Sequence, residues 1–164
     1  MLGRTPHKPR SMPTFSIREA GPDDVDLIAR RRVTMAEESG DSKMSEALVE
    51  ATHRWLRETT KLGIMRSWVA ESDGKVVGSV SCRIRDTSPR EFDLAGKEAY
   101  VQHLYVDPAY RRYGIGRALM HVLLDWCKTS GNSRIALRTS EMARSLYESL
   151  GFVADRVMTY KGNT

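Results

Sequence analysis

Apolar residues recur along this chain in two rhythms, and the change between them organises it. Val25, Ile28, Ala29, Val33 and Ala36 fall three or four apart, the spacing of one helical face. Gly21-Pro22-Asp23-Asp24 comes just before. Proline fits a first helical turn, and acids complement the positive end of the helix dipole. A short strand is expected ahead of it, at 15–18. A second helical stretch covers about 42–62, with Met44, Leu48, Ala51 and Trp55 on one side. Polar Glu37-Glu38-Ser39-Gly40-Asp41 joins the two.

The rhythm then shortens. Residues 65–71 and 75–85 are β-rich and flank Ser72-Asp73-Gly74, and Asp-Gly between such runs signals a hairpin. Residues 86–97 are polar, with Pro89 and Gly96, and predict a loop. EAYVQHLYV (98–106) predicts the next strand, closed by Asp107-Pro108. Helical spacing returns in Ile115, Leu119, Val122, Leu123 and Trp126, over about 114–129, and Gly131-Asn132 stops it. RIALRT (134–139) reads as a strand. Ser140 can cap a helix with Ala143, Leu146, Tyr147 and Leu150 on one face. Residues 152–160 return as a last strand. The order is β-α-α-β-β-β-α-β-α-β. Strand–helix–strand near the end requires a parallel pair with a crossover. The expectation is an α/β (α+β) mixed sheet with helices on both faces.

Length and composition leave this picture intact. The chain has 164 residues, 40% hydrophobic and 29% charged, suited to one domain. Residues 14–164 form that domain. Residues 1–13 read as a disordered basic leader or a remnant foreign to the protein, and lack a secretory core. Arg4, Lys8 and Arg10 lie in that leader and leave only +2 of the net +5 for the rest. That argues against nucleic acid as a partner. No apolar run reaches membrane-spanning length, so no membrane role is expected. Arg30-Arg31-Arg32 reads as a solvated helix face. Cys82 and Cys127 read as reduced, small hydrophobes of a cytoplasmic protein.

The chemistry lies in YRRYGIGRAL, residues 110–119. It lacks the Lys-Ser/Thr pair of a P-loop. Leu119 stands where a dinucleotide fingerprint needs a small residue. What remains is R-x-x-G-x-G opening a helix: Arg111-Arg112-Tyr113-Gly114-Ile115-Gly116. Uncovered amides, a positive dipole end and flanking arginines suit a pyrophosphate without metal. A plain glycine turn fits the stretch equally well when it is taken alone.

A second stretch changes that balance. VDPAYRRYGIGRAL and, further on, ARSLYESLGF (143–152) together resemble the GNAT superfamily of acetyl-CoA-dependent N-acetyltransferases. Val76-Val77-Gly78 matches more weakly, as part of a hairpin. The resemblance covers about residues 15–160. It implies a mostly antiparallel sheet of six to seven strands with a splayed parallel pair. It implies acetyl-CoA as co-substrate and no metal.

The pantetheine arm would follow the main chain at Leu104, Tyr105 and Val106, with the Leu104 amide facing the acetyl oxygen. The pyrophosphate would lie on Arg111, Arg112, Tyr113, Gly114, Ile115, Gly116, Arg117 and Ala118. Tyr147 matches the family's general acid, and Ala143 lies a turn before it on the same helix. Ser140 stands where relatives often have asparagine, so that pantetheine contact carries over weakly.

The base stays open. Tyr100 and Gln102 should share Leu104's face unless a bulge changes the parity, and His103 should point away, packed and hydrogen-bonded. Glu98, Glu37 or a water chain are alternatives. The acceptor would be a primary amine of a small molecule or peptide, attacking directly in a ternary complex. Glu37, Glu38, Asp41, Glu46, Glu91 and Asp93 favour a cationic acceptor; Arg30, Arg31, Arg32 and His53 favour an acidic one. An acyl-CoA-binding sensor or interaction module is the rival reading, and a homodimer is left open.

Overall fold

The computed structural model describes residues 12–40, 45–91, 93–132 and 134–155. Its strands are β1 (Ser16–Glu19), β2 (Met65–Ser72), β3 (Lys75–Asp86), β4 (Lys97–Val106) and β5 (Arg134–Leu137). The helices are α1 (Val25–Glu38), α2 (Glu46–Lys61), α3 (Ile115–Thr129) and α4 (Glu141–Ser149). The strands form one sheet in chain order. The first three pairings are antiparallel and β4–β5 is parallel.

Local chemistry explains most boundaries. Asp73 and Gly74 have φ of 49° and 71°, the paired positive values a two-residue hairpin needs. Ser45 caps α2, its hydroxyl accepting the Leu48 amide at 3.3 Å. Each face of the sheet carries its own core. Val25, Ile28 and Ala29 of α1 and Leu56 of α2 cover Met65 and Val69. Ile115, Leu119, Met120, Leu123 and Cys127 of α3, with Tyr147 of α4, cover Trp68, Val80, Cys82, Ala99 and Val101. Cys82 and Cys127, distant in sequence, meet there as free thiols. No described helix is long and apolar enough to cross a membrane.

Several expectations change. Five strands, rather than six or seven, are present among the described residues. Of the last expected strand, residues 152–155 carry no strand, and 156–160 lie outside the described residues, as do 1–11 of the leader. Asp41 and Met44 also fall outside. Leu48 is 50% exposed: it lies in the first turn of α2, whereas the buried positions Leu56 and Thr59 of the same helix lie two or more turns further on. β5 stops at Leu137, and Ile135 and Leu137 are only half-buried; among the described residues β5 pairs on one side alone. Arg31 is not on a solvated face. It is buried, donates to both Asp107 oxygens at 3.1 and 2.9 Å, and bonds the Val76 carbonyl.

Val76-Val77-Gly78 lies inside β3, beyond the turn, and its glycine has a packing role. A Cβ on Gly78 would come within 3.2 Å of the Tyr105 carbonyl and 3.3 Å of Ile115 and Leu119. Helix α3 therefore rests directly on backbone there. Gly78→Ala should destabilise the fold by about 1–3 kcal/mol, read as a lowered urea midpoint at unchanged m-value.

Candidate active site

The site is built on an interruption in β4. Tyr105 lies opposite Ser79, and Gln102 opposite Ser81. His103 and Leu104 together therefore face only Val80, which is a β-bulge. His103 takes φ of 59° to make it, an uncommon conformation for a side chain-bearing residue. The bulge reverses the alternation above it. Gln102 reaches the Met65 sulfur, and His103 packs edge-on to Trp55 of α2 at 6.1 Å. Leu104 and Val106 instead join the α3-side core. Tyr100 and Gln102 thus do not share Leu104's face, contrary to the plain alternation.

The same strand parts from its parallel neighbour. Pairing with β5 begins at Glu98 and Arg134 and ends at Val101 and Leu137. Residues 102–106 therefore have no strand on that side among the described residues. The Val106 carbonyl, on this open edge, accepts Arg111 Nε at 2.8 Å. Buried backbone groups demand partners, so such an edge offers an extended ligand a ready ladder.

The glycine turn lies just beyond. Arg112 and Gly114 have φ of 68° and 82°, and Gly114 caps α3. The first helical bond to leave the turn is Ala118 N–H to Gly114 O at 3.0 Å. Among the described residues, the amides of Arg112, Tyr113, Gly114, Ile115, Gly116 and Arg117 have no acceptor. Six consecutive free donors at a helix start suit an anion. The arginines are partly committed elsewhere. Arg111 also holds Glu38 at 2.7 Å and lies over the Tyr105 ring. Arg117 bonds Ser149 at 2.8 Å, tying α3 to α4. Arg112 is exposed.

Tyr147 comes from α4 into the α3-side core, 5.8 Å from Phe152 in an edge contact. Burial pushes its phenol up to about 12. No described residue hydrogen-bonds its hydroxyl. Ala143 packs in the same core. Ser140 begins α4, but its side chain makes no cap bond; its carbonyl accepts the Ala143 and Arg144 amides instead.

The base candidates fare differently. Glu98 is buried between Arg85 and Arg134, each bonded at 2.5 Å. Glu37 is exposed. Glu38, beside it, accepts the Tyr105 hydroxyl at 2.9 Å. Burial raises the Glu38 carboxyl, but Arg111 and Tyr105 outweigh it and hold it below the usual range. Burial, with Arg32 nearby, pushes His103 down to about 3. Its Nδ1 is buried without a partner, so it is packed but not hydrogen-bonded there. Sequence reasoning missed the Arg31–Asp107 and Glu38–Tyr105–Arg111 clamps, because their members are far apart in the chain. Among the described residues, no cluster of His, Cys, Asp or Glu is placed to hold a metal.

A family model described as acetyltransferase (GNAT) family matches residues 32–152. The chain belongs to the GNAT family. Human N-acetyltransferase 8 is 39% identical over 89 residues, covering 52% of this GNAT chain and 37% of that protein. Glucosamine 6-phosphate N-acetyltransferase of Trypanosoma brucei brucei is 35% identical over 81 residues, covering 49% and 53%. The chain thus spans between about a third and about half of these relatives' length. A solved GCN5-related N-acetyltransferase from Ralstonia eutropha superposes with TM-score 0.84 at 27% identity, covering 90% of this chain and 98% of that one. A predicted acetyltransferase from Clostridium acetobutylicum, solved with acetyl-CoA, shares the fold at TM-score 0.84 and 19% identity, covering 91% and 96%. The mixed sheet, antiparallel with one parallel pair, is that of GNAT acyltransferases.

One property of the GNAT site is measurable without substrate. His103 charges freely when unfolded near pH 6.5 but resists charging when folded. Between those values the unfolded state binds more protons, so stability is intact above about pH 6.5 and falls as pH drops toward 3. His103→Phe should flatten this loss, by ~3 kcal/mol at pH 4, in urea titrations across pH.

Proposed function

We propose that this chain moves an acetyl group from acetyl-CoA to a primary amine, by direct attack within a ternary complex. One observation carries the reading: the unpaired edge of β4, 102–106, runs up to the six free amides that open α3. A linear donor with a pyrophosphate suits both. Leu104, Tyr105 and Val106 would align the pantetheine arm. The amides from Arg111 to Ala118 would hold the pyrophosphate, with Ser140 and Ala143 bordering the arm.

The residues then divide the chemistry. The Leu104 amide stabilises charge growing on the acetyl oxygen as the amine nitrogen attacks the thioester carbon. The new C–N bond forms as the C–S bond breaks. The Tyr147 hydroxyl, kept protonated by burial, gives its proton to the leaving sulfur and recovers one from solvent. Products are the acetamide and CoA thiol. Burial makes His103 resist taking up a proton and Glu98 is clamped, so in this scheme the amine loses its proton to water. The relative named glucosamine 6-phosphate N-acetyltransferase supports an amine acceptor. No metal takes part in this scheme, and a cytoplasmic location and a homodimer remain compatible with it.

A thiol-release screen of amines, amino acids, polyamines and peptides with acetyl-CoA tests the reading. Release with at least one amine supports it; CoA binding without release favours the binding-module alternative. For an accepted amine, Tyr147→Phe should lower kcat about 10²- to 10⁴-fold; an unchanged kcat removes Tyr147 from the acid role. With water as base, kcat/KM should rise with pH up to the acceptor's own amine pKa. Changing the acceptor should move that limb, and a fixed limb would instead mark a base on the protein.

A further inference from the structure

Above and beside the bulge, the α1–α2 face of the sheet holds polar atoms with unmet bonds. Ser79 Oγ, Arg83 Nε and His103 Nδ1 are all buried without a partner among the described residues. Such atoms cost free energy unless something supplies the missing bond. Arg83 is the most unusual of them. Its guanidinium lies 5.9 Å from the Trp55 ring, and Trp55 in turn packs against His103. No described carboxylate pairs with it. Neighbouring arginines each have a carboxylate: Arg31 with Asp107 (its Nη1 alone is buried without a partner), Arg85 and Arg134 with Glu98, Arg57 with Asp26. Arg32 of α1 also lacks a described carboxylate and lies close enough to disfavour charge on His103.

Two carboxylates of α1 are already engaged. Glu38 serves Arg111 and Tyr105, and Asp26 serves Arg57 and His53. Arg83 has no carboxylate partner among the described residues. Arg83 stands opposite Tyr100, about 10 Å along the strand from Leu104. That span fits a small amine whose acidic group lies several bonds from its nitrogen.

We propose that Arg83, beside the Trp55–His103 pair, is an anion seat that selects acceptors carrying a carboxylate or phosphate. The seat names the substrate class for the acetyl transfer proposed above and rests on that reading. Guanidinium suits both anions, since it presents paired donors in a fixed plane.

Two measurements test it. In CoA-saturated protein, the Arg83 Nε–H resonance is followed by NMR while glutamate or glucosamine 6-phosphate is added, against glutamine amide and glucosamine as neutral partners. The acidic members should shift the resonance and the neutral ones should not; carboxylate and phosphate arms show which anion is preferred. Equal or absent shifts overturn the seat. For accepted amines, the ratio of kcat/KM for acidic over neutral acceptors should fall about 10- to 100-fold in Arg83→Gln. Arg83→Lys should retain part of it, and thermal unfolding confirms that both variants fold. Selective shifts without any thiol release sustain the seat and sink the transferase reading. Release from neutral and acidic amines alike, with no selective shift, does the reverse.

Discussion

Every peptide group taken out of water must find a partner, and β4 is where the fold leaves that demand open. Up to Val101 the strand is paired on both sides, by β3 and β5. Beyond it β5 has ended, and among the described residues no strand covers the edge, where only the Val106 carbonyl is taken, by Arg111. The bulge at His103–Leu104 falls within this stretch, and the free amides before α3 continue it. The rest of the structure holds that edge still. Gly78 lets α3 press onto the sheet beneath it. Arg31 ties α1 to Asp107 at the strand's end, and Arg111 ties the glycine turn back to α1 through Glu38.

This arrangement separates two tasks between two faces. The α3 face supplies donors for an anion and the Tyr147 hydroxyl. The α1–α2 face carries Trp55, His103 and Arg83. The bulge is the link between them, because it turns both Gln102 and His103 to the α1–α2 face and so sends Leu104 to the α3 face.

Much of this was legible in the sequence, for a physical reason. Local rules govern local features: Asp73-Gly74 fixed the hairpin, helical spacing located α1 and α3, and the two glycines marked a helix start with uncovered amides. Elements dependent on distant partners were not legible. Arg31 looked solvated because nothing near it in sequence announces Asp107, 76 residues away. Leu48 has the spacing of an inward position, but spacing does not say how far along α2 the packing extends, and its first turn is left exposed. The faces of β4 were readable only below the bulge, since a single histidine at positive φ carries no sequence mark. Gly78 was noted for its neighbours Val76 and Val77, while its own reason, contact with Ile115 and Leu119, needed the fold.

The bulge has a further consequence for anyone comparing variants of this chain. A strand is usually read in one frame, odd positions to one side and even to the other. Here β4 is read in two frames, one through Gln102 and another from Leu104. A polar replacement at Val101 and one at Leu104 differ in parity yet reach the same core. Replacements at Gln102 and His103 are neighbours in sequence yet share a face. Position numbers copied across this point from an unbulged relative would assign each upper side chain to the wrong side of the sheet.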